Sequence, residues 1–219
     1  MHEQGFKTSS TGLVHGMPPE PCVVVILGVA GDLARTTLVP SLYALGCQRL
    51  LPEPFALLGV ARRAWDNDTF RDTIRTYAQE KKGFSDETWR QFARRLSFVR
   101  GDLDAPPTED YATLRARLKA VQAEHHIPDN VLFHFSVPPQ LYGDIAHKLS
   151  AASLLKSDSG GWRRLIIEKP FGRDAASARA LDGQLFKVVN EEQIYRVDHY
   201  LGERDGPEHA SLPLCQPGL

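Results

Sequence analysis

The stretch Val23-Val-Val-Ile-Leu-Gly28-Val-Ala-Gly31-Asp-Leu-Ala34 decides the fold. Five apolar residues, Val23 to Leu27, run without alternation and stop at Gly28. A strand that reads this way is buried on both faces, as in the middle of a parallel sheet. Asp32 to Leu45 then carries Leu38, Leu42 and Leu45 at helical spacing. A glycine motif gains meaning between a strand and a helix. Gly28 permits a sharp turn and close approach of a ligand to the backbone. The helix N-terminus offers unpaired N–H groups and a partial positive charge to a pyrophosphate. The spacing is G-x-x-G rather than the commonest G-x-G-x-x-G. The unit reads as a turn for the phosphates of a dinucleotide; the competing reading is a purely structural turn.

Outward from this unit, strands and helices alternate. Strands are expected at Phe55–Val60, Leu96–Arg100, Asn130–Ser136 and Arg164–Glu168. Helices are expected over Asp68–Lys82, Ser85–Arg95, Thr108–His125, Gln140–Leu149 and Asp174–Val188, with caps at Ser85, Thr108 and Asp174. This order predicts an α/β fold, a Rossmann-like parallel sheet with helices on both faces. Residues 1–21 read as a flexible polar tail, 22–202 as the coenzyme domain and 203–219 as an irregular tail with Pro207, Pro213 and Pro217.

Composition narrows the function classes. The chain has 219 residues, 42% hydrophobic and 24% charged, with a net charge of -1. That balance argues against nucleic acid or an acidic membrane as the main partner. His2 to Pro19 has no apolar core of signal-peptide length, and no run approaches the ~18 apolar residues of a membrane span. Cys22, Cys47 and Cys215 are few, odd in number and widely spaced, which fits a reducing, cytoplasmic setting better than a disulfide framework. No Cys/His cluster has zinc spacing, so no metal is expected.

Three further segments carry chemistry. The second strand ends Gly59-Val-Ala-Arg62-Arg63. An acidic residue there would bind a ribose 2′-hydroxyl and favour NAD. Arginine instead attracts a 2′-phosphate, pointing to NADP; the plainer alternative is a solvated basic turn. The fifth strand runs into Glu168-Lys169-Pro170-Phe-Gly172. It places a lysine, followed by an X–Pro peptide open to the cis form, where parallel sheets bind ligands; a surface lysine before a loop is the other reading. Asp198-His199-Tyr200-Leu-Gly202 brings together groups that donate, accept and carry charge, although a lone Asp-His pair is usually structural.

Taken together, Gly28–Ala34, Gly59–Arg62, Val137-Pro-Pro-Gln-Leu-Tyr142, Glu168–Gly172 and Asp198–Gly202 closely resemble, in order and spacing, the signature segments of the glucose-6-phosphate dehydrogenase family. The resemblance covers roughly Val23 to Gly202. It implies oxidation of glucose 6-phosphate to 6-phosphogluconolactone with NADP, in the oxidative pentose phosphate pathway. It also implies roles for single residues. Gly28, Gly31, Asp32 and Leu33 form the coenzyme turn, Arg62 meets the 2′-phosphate, and Pro138 and Tyr142 lie along the coenzyme. Lys169 bridges coenzyme and sugar, His199 and Tyr200 bind the substrate phosphate, and Asp198 orients a catalytic histidine.

The chain departs from the family pattern in places. Glu203 and Thr37 replace family lysines, with Arg35 partly restoring charge beside Thr37, and Ala30 replaces a Ser or Thr. The family's histidine base lies downstream, in a C-terminal α+β domain expected to be absent here, and the surroundings of His209 do not match it. Because that domain also makes the family's dimer contact, no oligomeric state is carried over. A non-catalytic NADP-binding module, or an inactive fragment, is the alternative to a dehydrogenase.

Overall fold

The structure, a computed structural model, describes residues 19–81, 83–104 and 109–197. These form six parallel strands: β1 (Cys22–Leu27), β2 (Phe55–Ala61), β3 (Leu96–Arg100), β4 (Val131–Phe135), β5 (Arg163–Glu168) and β6 (Ile194–Val197). Their order in the sheet is β3-β2-β1-β4-β5-β6. The chain steps outward from β1 to β3, crosses back, and steps outward again from β4 to β6. At the carboxyl ends of β1 and β4 the two halves diverge and leave a crevice, the position at which such sheets bind ligands.

Alternation along β1 shows why its sequence is apolar throughout. Val23, Val25 and Leu27 enter one core layer, with Tyr111, Leu114 and Leu118 of α4 (Glu109–Glu124), Ile145 and Leu149 of α5 (Tyr142–Ala151), and Leu181 and Leu185 of α6 (Ala175–Leu185). Cys22, Val24 and Ile26 enter the other layer. There they join Val39 and Tyr43 of α1 (Val39–Cys47), Phe70 and Ile74 of α2 (Asn67–Ala78), and Trp89 and Phe92 of α3 (Asp86–Ala93). A central strand covered on both sides must be hydrophobic at every position.

The expected caps at Ser85 and Asp174 hold; the one expected at Thr108 lies outside the described residues. Ser85 accepts from the Thr88 N–H at 3.2 Å, and Asp174 accepts from Ser177 N–H at 2.8 Å while its own N–H donates to the Ser177 hydroxyl oxygen at 3.0 Å. Helix α2 also has a cap that had not been read: Asp66 accepts from Thr69 N–H at 2.7 Å.

Three differences from expectation have physical causes. The helix after the glycine turn contains a π-helical turn over Ala34–Leu38, in which the Val39 N–H reaches back to Ala34 O. Pro40 explains the widening: it donates no hydrogen bond, and in a regular helix its ring would press on the Thr36 carbonyl. Helix α2 stops at Ala78, before Gly83, whose φ of 83° lies outside the helical range. Strand β6 was not anticipated. Ile-Tyr-Arg-Val is only four residues long, and pairing with β5 (Leu165 beside Ile194), rather than length, makes it a strand.

The amino ends of β4 and β5 are tied together by polar groups. Arg163 donates through its guanidinium to the Asp129 carboxylate and carbonyl. The same carboxylate accepts from Ser157 Oγ at 2.6 Å and Asp158 N–H at 2.9 Å. Burial alone would raise the Asp129 carboxyl pKa, but the bonds from Ser157 and Arg163 outweigh it and hold the group well below the usual carboxylate range.

Candidate coenzyme groove

The glycine turn is built against the loop that leaves β4. Gly28 has φ 87°, and a Cβ there would lie 2.2 Å from the Ser136 carbonyl oxygen and 2.8 Å from Val137 Cγ1. The Gly28 and Val29 N–H groups donate to Val60 O at 2.9 and 3.0 Å, and Gly31 N–H donates to Gly28 O at 2.9 Å. The turn therefore hangs on β2 and leans on the β4 loop. The first N–H groups of the helix that follows have no intrahelical acceptor and are available to an anion.

Two cavities meet at this turn. The first, about 410 Å³, lies between Gly28 and Gly31, the Arg62–Arg63 pair after β2, the 101–104 loop after β3, and Pro138. The second, about 260 Å³, lies between Asp32 and Leu33, Pro138 and Tyr142, and Glu168 and Lys169. Gly31, Ser136, Val137 and Pro138 line both, so one groove crosses the carboxyl ends of the sheet from β3 to β5. It brings together Gly28, Gly31, Asp32, Leu33, Arg62, Pro138, Tyr142 and Lys169, the described residues expected from the sequence to serve the site. Asp198, His199 and Tyr200 lie outside the described residues. Val197, immediately before them, accepts a hydrogen bond from Lys169 N–H at 3.2 Å.

Charge is distributed unevenly along the groove. Arg62 and Arg63 are exposed, and neither enters an ion pair among the described residues. Arg35 does not share this freedom. It pairs with Asp32 at 2.5 Å and lies over the Tyr77 ring at 5.5 Å, so it is committed to the α2 side and lines neither cavity.

Tyr142 shapes the groove more than it offers a free hydroxyl. Its side chain is buried, the hydroxyl donates to Glu168 O at 3.2 Å, and the ring meets Phe135 edge-on at 5.7 Å. Burial pushes this hydroxyl's pKa up. The bond ties α5 to the end of β5 beside Lys169. The Lys169–Pro170 peptide is cis, the form the sequence reading had allowed.

Sequence reasoning did not single out two features. The 101–104 loop forms a wall of the larger cavity, and no motif marked it. His134 and Glu168 are both buried, with Nε2 and Oε1 3.1 Å apart, on adjacent strands behind Lys169. A histidine inside an otherwise apolar strand and a glutamate ending another were the only available signals. Among the described residues, no three His, Cys, Asp or Glu side chains are grouped to hold a metal ion, and no helix is long and apolar enough to cross a membrane.

The comparisons with known proteins agree with this arrangement. The family described as "Glucose-6-phosphate dehydrogenase, NAD binding domain" matches residues 25–205. The glucose-6-phosphate 1-dehydrogenase of Aggregatibacter actinomycetemcomitans is 40% identical over 187 residues, covering 85% of this chain and 37% of that protein. The Bacillus subtilis enzyme is 36% identical over 182 residues, covering 83% of this chain and 36% of that protein. Among solved structures, a glucose-6-phosphate dehydrogenase in complex with its substrate glucose-6-phosphate superposes with a TM-score of 0.73 at 31% identity, covering 84% of this chain and 37% of that one. The Mycobacterium avium glucose-6-phosphate 1-dehydrogenase gives 0.70 at 32% identity, covering 84% and 38%. The chain thus spans little more than a third of the length of these relatives. The family match over residues 25–205 and the superposition agree, and the chain belongs to the glucose-6-phosphate dehydrogenase NAD-binding-domain family.

Proposed function

We propose that residues 22–202 bind NADP in the groove and serve the oxidation of glucose 6-phosphate to 6-phosphogluconolactone. The observation that carries this reading is the convergence of three separate segments on one groove: the Gly28–Leu33 turn, the Arg62–Arg63 pair and Lys169. The groove suits a dinucleotide phosphate. Gly28, where a Cβ would run into the Ser136 carbonyl, lets the turn close against the β4 loop, and the helix after it presents N–H groups to a pyrophosphate. Arg62 meets the 2′-phosphate through charge-assisted hydrogen bonds, which favours NADP over NAD.

The remaining residues take roles in the substrate half. Lys169 lies between coenzyme and sugar and donates to a sugar hydroxyl. His199 and Tyr200 hold the substrate phosphate. Asp198 orients a histidine base that removes the proton from the 1-hydroxyl. When bound, the nicotinamide accepts the hydride from C1.

Calorimetric titration of the chain with NADPH, paired with NADP reduction in the presence of glucose 6-phosphate, tests the proposal. Binding with turnover is the expected result for a dehydrogenase. Failure to bind NADPH sinks the reading altogether. A second reading is a coenzyme-binding module without turnover. Binding without turnover selects that reading. A thermal melt adds a check, since a ligand that binds only the folded state raises its apparent stability.

A further inference from the structure

Lys169 enters the groove from the point where two strands part. The β4–β5 ladder ends with His134 beside Ile166. Just beyond it, Glu168 and Lys169 stand at the rim of the smaller cavity. The backbone at this rim is held from two sides, by the Tyr142 hydroxyl on Glu168 O and by Val197 O on Lys169 N–H. The third hold is a side chain. Phe133, Phe135, Leu165 and Ile167 all enter the core layer of α4, α5 and α6. Alternation therefore sends His134 and Glu168 to the opposite face of the sheet, away from Tyr142. There His134 Nε2 and Glu168 Oε1 lie 3.1 Å apart, with both side chains buried.

Stability does not account for this pair. Burying an imidazole and a carboxylate costs desolvation, and an apolar pair of similar size commonly serves a core as well or better. His134 Nδ1 adds to the cost, being buried without a hydrogen-bond partner among the described residues. Nor does His134 meet a ligand directly, because it lines neither cavity. Glu168 does line one, and Lys169 follows it in the chain. From this we propose, on the footing of the glucose 6-phosphate reading above, that His134 is a positioning residue for the substrate. It holds the Glu168 carboxylate against β4 and so fixes the strand end from which Lys169 reaches the sugar. A neutral imidazole with its hydrogen on Nε2 does this without adding charge to the site.

The test is calorimetric titration of the full 219-residue chain, first with NADPH and then with glucose 6-phosphate on the NADPH-bound chain. In His134→Leu, glucose 6-phosphate should bind at least about tenfold more weakly, the scale of losing a hydrogen bond to a charged group, while NADPH affinity stays within about twofold. His134→Gln brings an amide N–H to the same place and should return glucose 6-phosphate affinity to within about threefold of native. A role in stability alone would produce neither the split between ligands nor the rescue. If a melt shows His134→Leu unfolded, the double variant His134→Leu with Glu168→Gln takes its place, because it buries no unpaired carboxylate; the same loss is expected. Folded variants that bind both ligands as the native chain does, or a Gln variant no better than the Leu variant, overturn the inference and leave the proposed function standing. A native chain that binds NADPH but not glucose 6-phosphate overturns the inference together with the substrate half of that function, and one that binds neither overturns the whole.

Discussion

The two ends of the sheet use the same residue types in opposite ways. At the amino end, Arg163 and Asp129 are spent on each other, and the Asp129 carboxylate also accepts from Ser157 and Asp158. At the carboxyl end, Arg62 and Arg63 are exposed and unpaired among the described residues, and the backbone beside them is shaped by a glycine that tolerates no side chain. An arginine closed on an aspartate holds a fold; an arginine left open in a groove waits for an anion. The difference is one of satisfaction rather than composition.

Substitution should separate the two ends, and the largest effect is expected at Gly28. In Gly28→Val, backbone strain at φ 87° adds to a clash with the Ser136 carbonyl 2.2 Å away. NADPH binding should become undetectable by calorimetry, with a loss of at least about 2 kcal/mol in stability. A variant that binds NADPH normally would show that the turn is not the coenzyme's cradle, and the contrast between the ends would fail.

Next in size is Asp129→Asn, which leaves Arg163 buried without its counter-ion. Breaking such a pair costs roughly 3 kcal/mol, to be measured by urea unfolding, while NADPH affinity in the folded fraction stays unchanged. The pH dependence follows from the same site. The folded-state pKa of Asp129 lies below its unfolded value. Its contribution is therefore present above the unfolded pKa of about 4 and lost as pH falls toward the lower folded value. The native chain should lose stability below pH ~4 more steeply than Asp129→Asn. Cys22, at the same end, reports on it: burial pushes its thiol up to about 11, so native alkylation should be slow and should accelerate in Asp129→Asn.

The amino end and the groove were not equally legible in the sequence. Hydrophobic period gave β1 through β5 because strands buried on both faces leave a plain apolar run. Local caps gave the starts of α3 and α6 for the same reason: Ser85 and Asp174 bond to N–H groups three residues on. Strand β6 escaped because its identity resides in pairing with β5, which sequence does not display. The Asp129–Arg163 tie escaped likewise, since its partners are 34 residues apart. In the groove, motif residues such as Gly28 and Lys169 could be read because their chemistry is tied to a turn or a strand end. The commitment of Arg35 to Asp32 and Tyr77, and the use of the Tyr142 hydroxyl inside the fold, depend on side-chain direction.

A smaller effect is expected at Arg62. Arg62→Ala should weaken NADPH binding by about 2 kcal/mol, the scale of hydrogen bonds to charged groups, and weaken NADH binding little. The salt dependence of NADPH binding should fall as well, since one cation has left the groove. Equal losses for the two coenzymes would assign Arg62 to the solvated basic turn that its exposure also permits.

The smallest effect tests the comparison within the carboxyl end itself. Arg35 is an arginine near the phosphate turn, and on sequence alone it looks as available as Arg62. Its guanidinium is nonetheless occupied by Asp32, whose side chain is 83% exposed, and by the Tyr77 ring. Removing it in Arg35→Ala frees an exposed carboxylate that water screens well. NADPH affinity should change by no more than about threefold, and its preference over NADH should not move. A loss as large as that of Arg62→Ala, with the same effect on coenzyme preference, would mean that Arg35 leaves Asp32 when the phosphate arrives. In that case a pairing inside the protein would not by itself mark an arginine as structural.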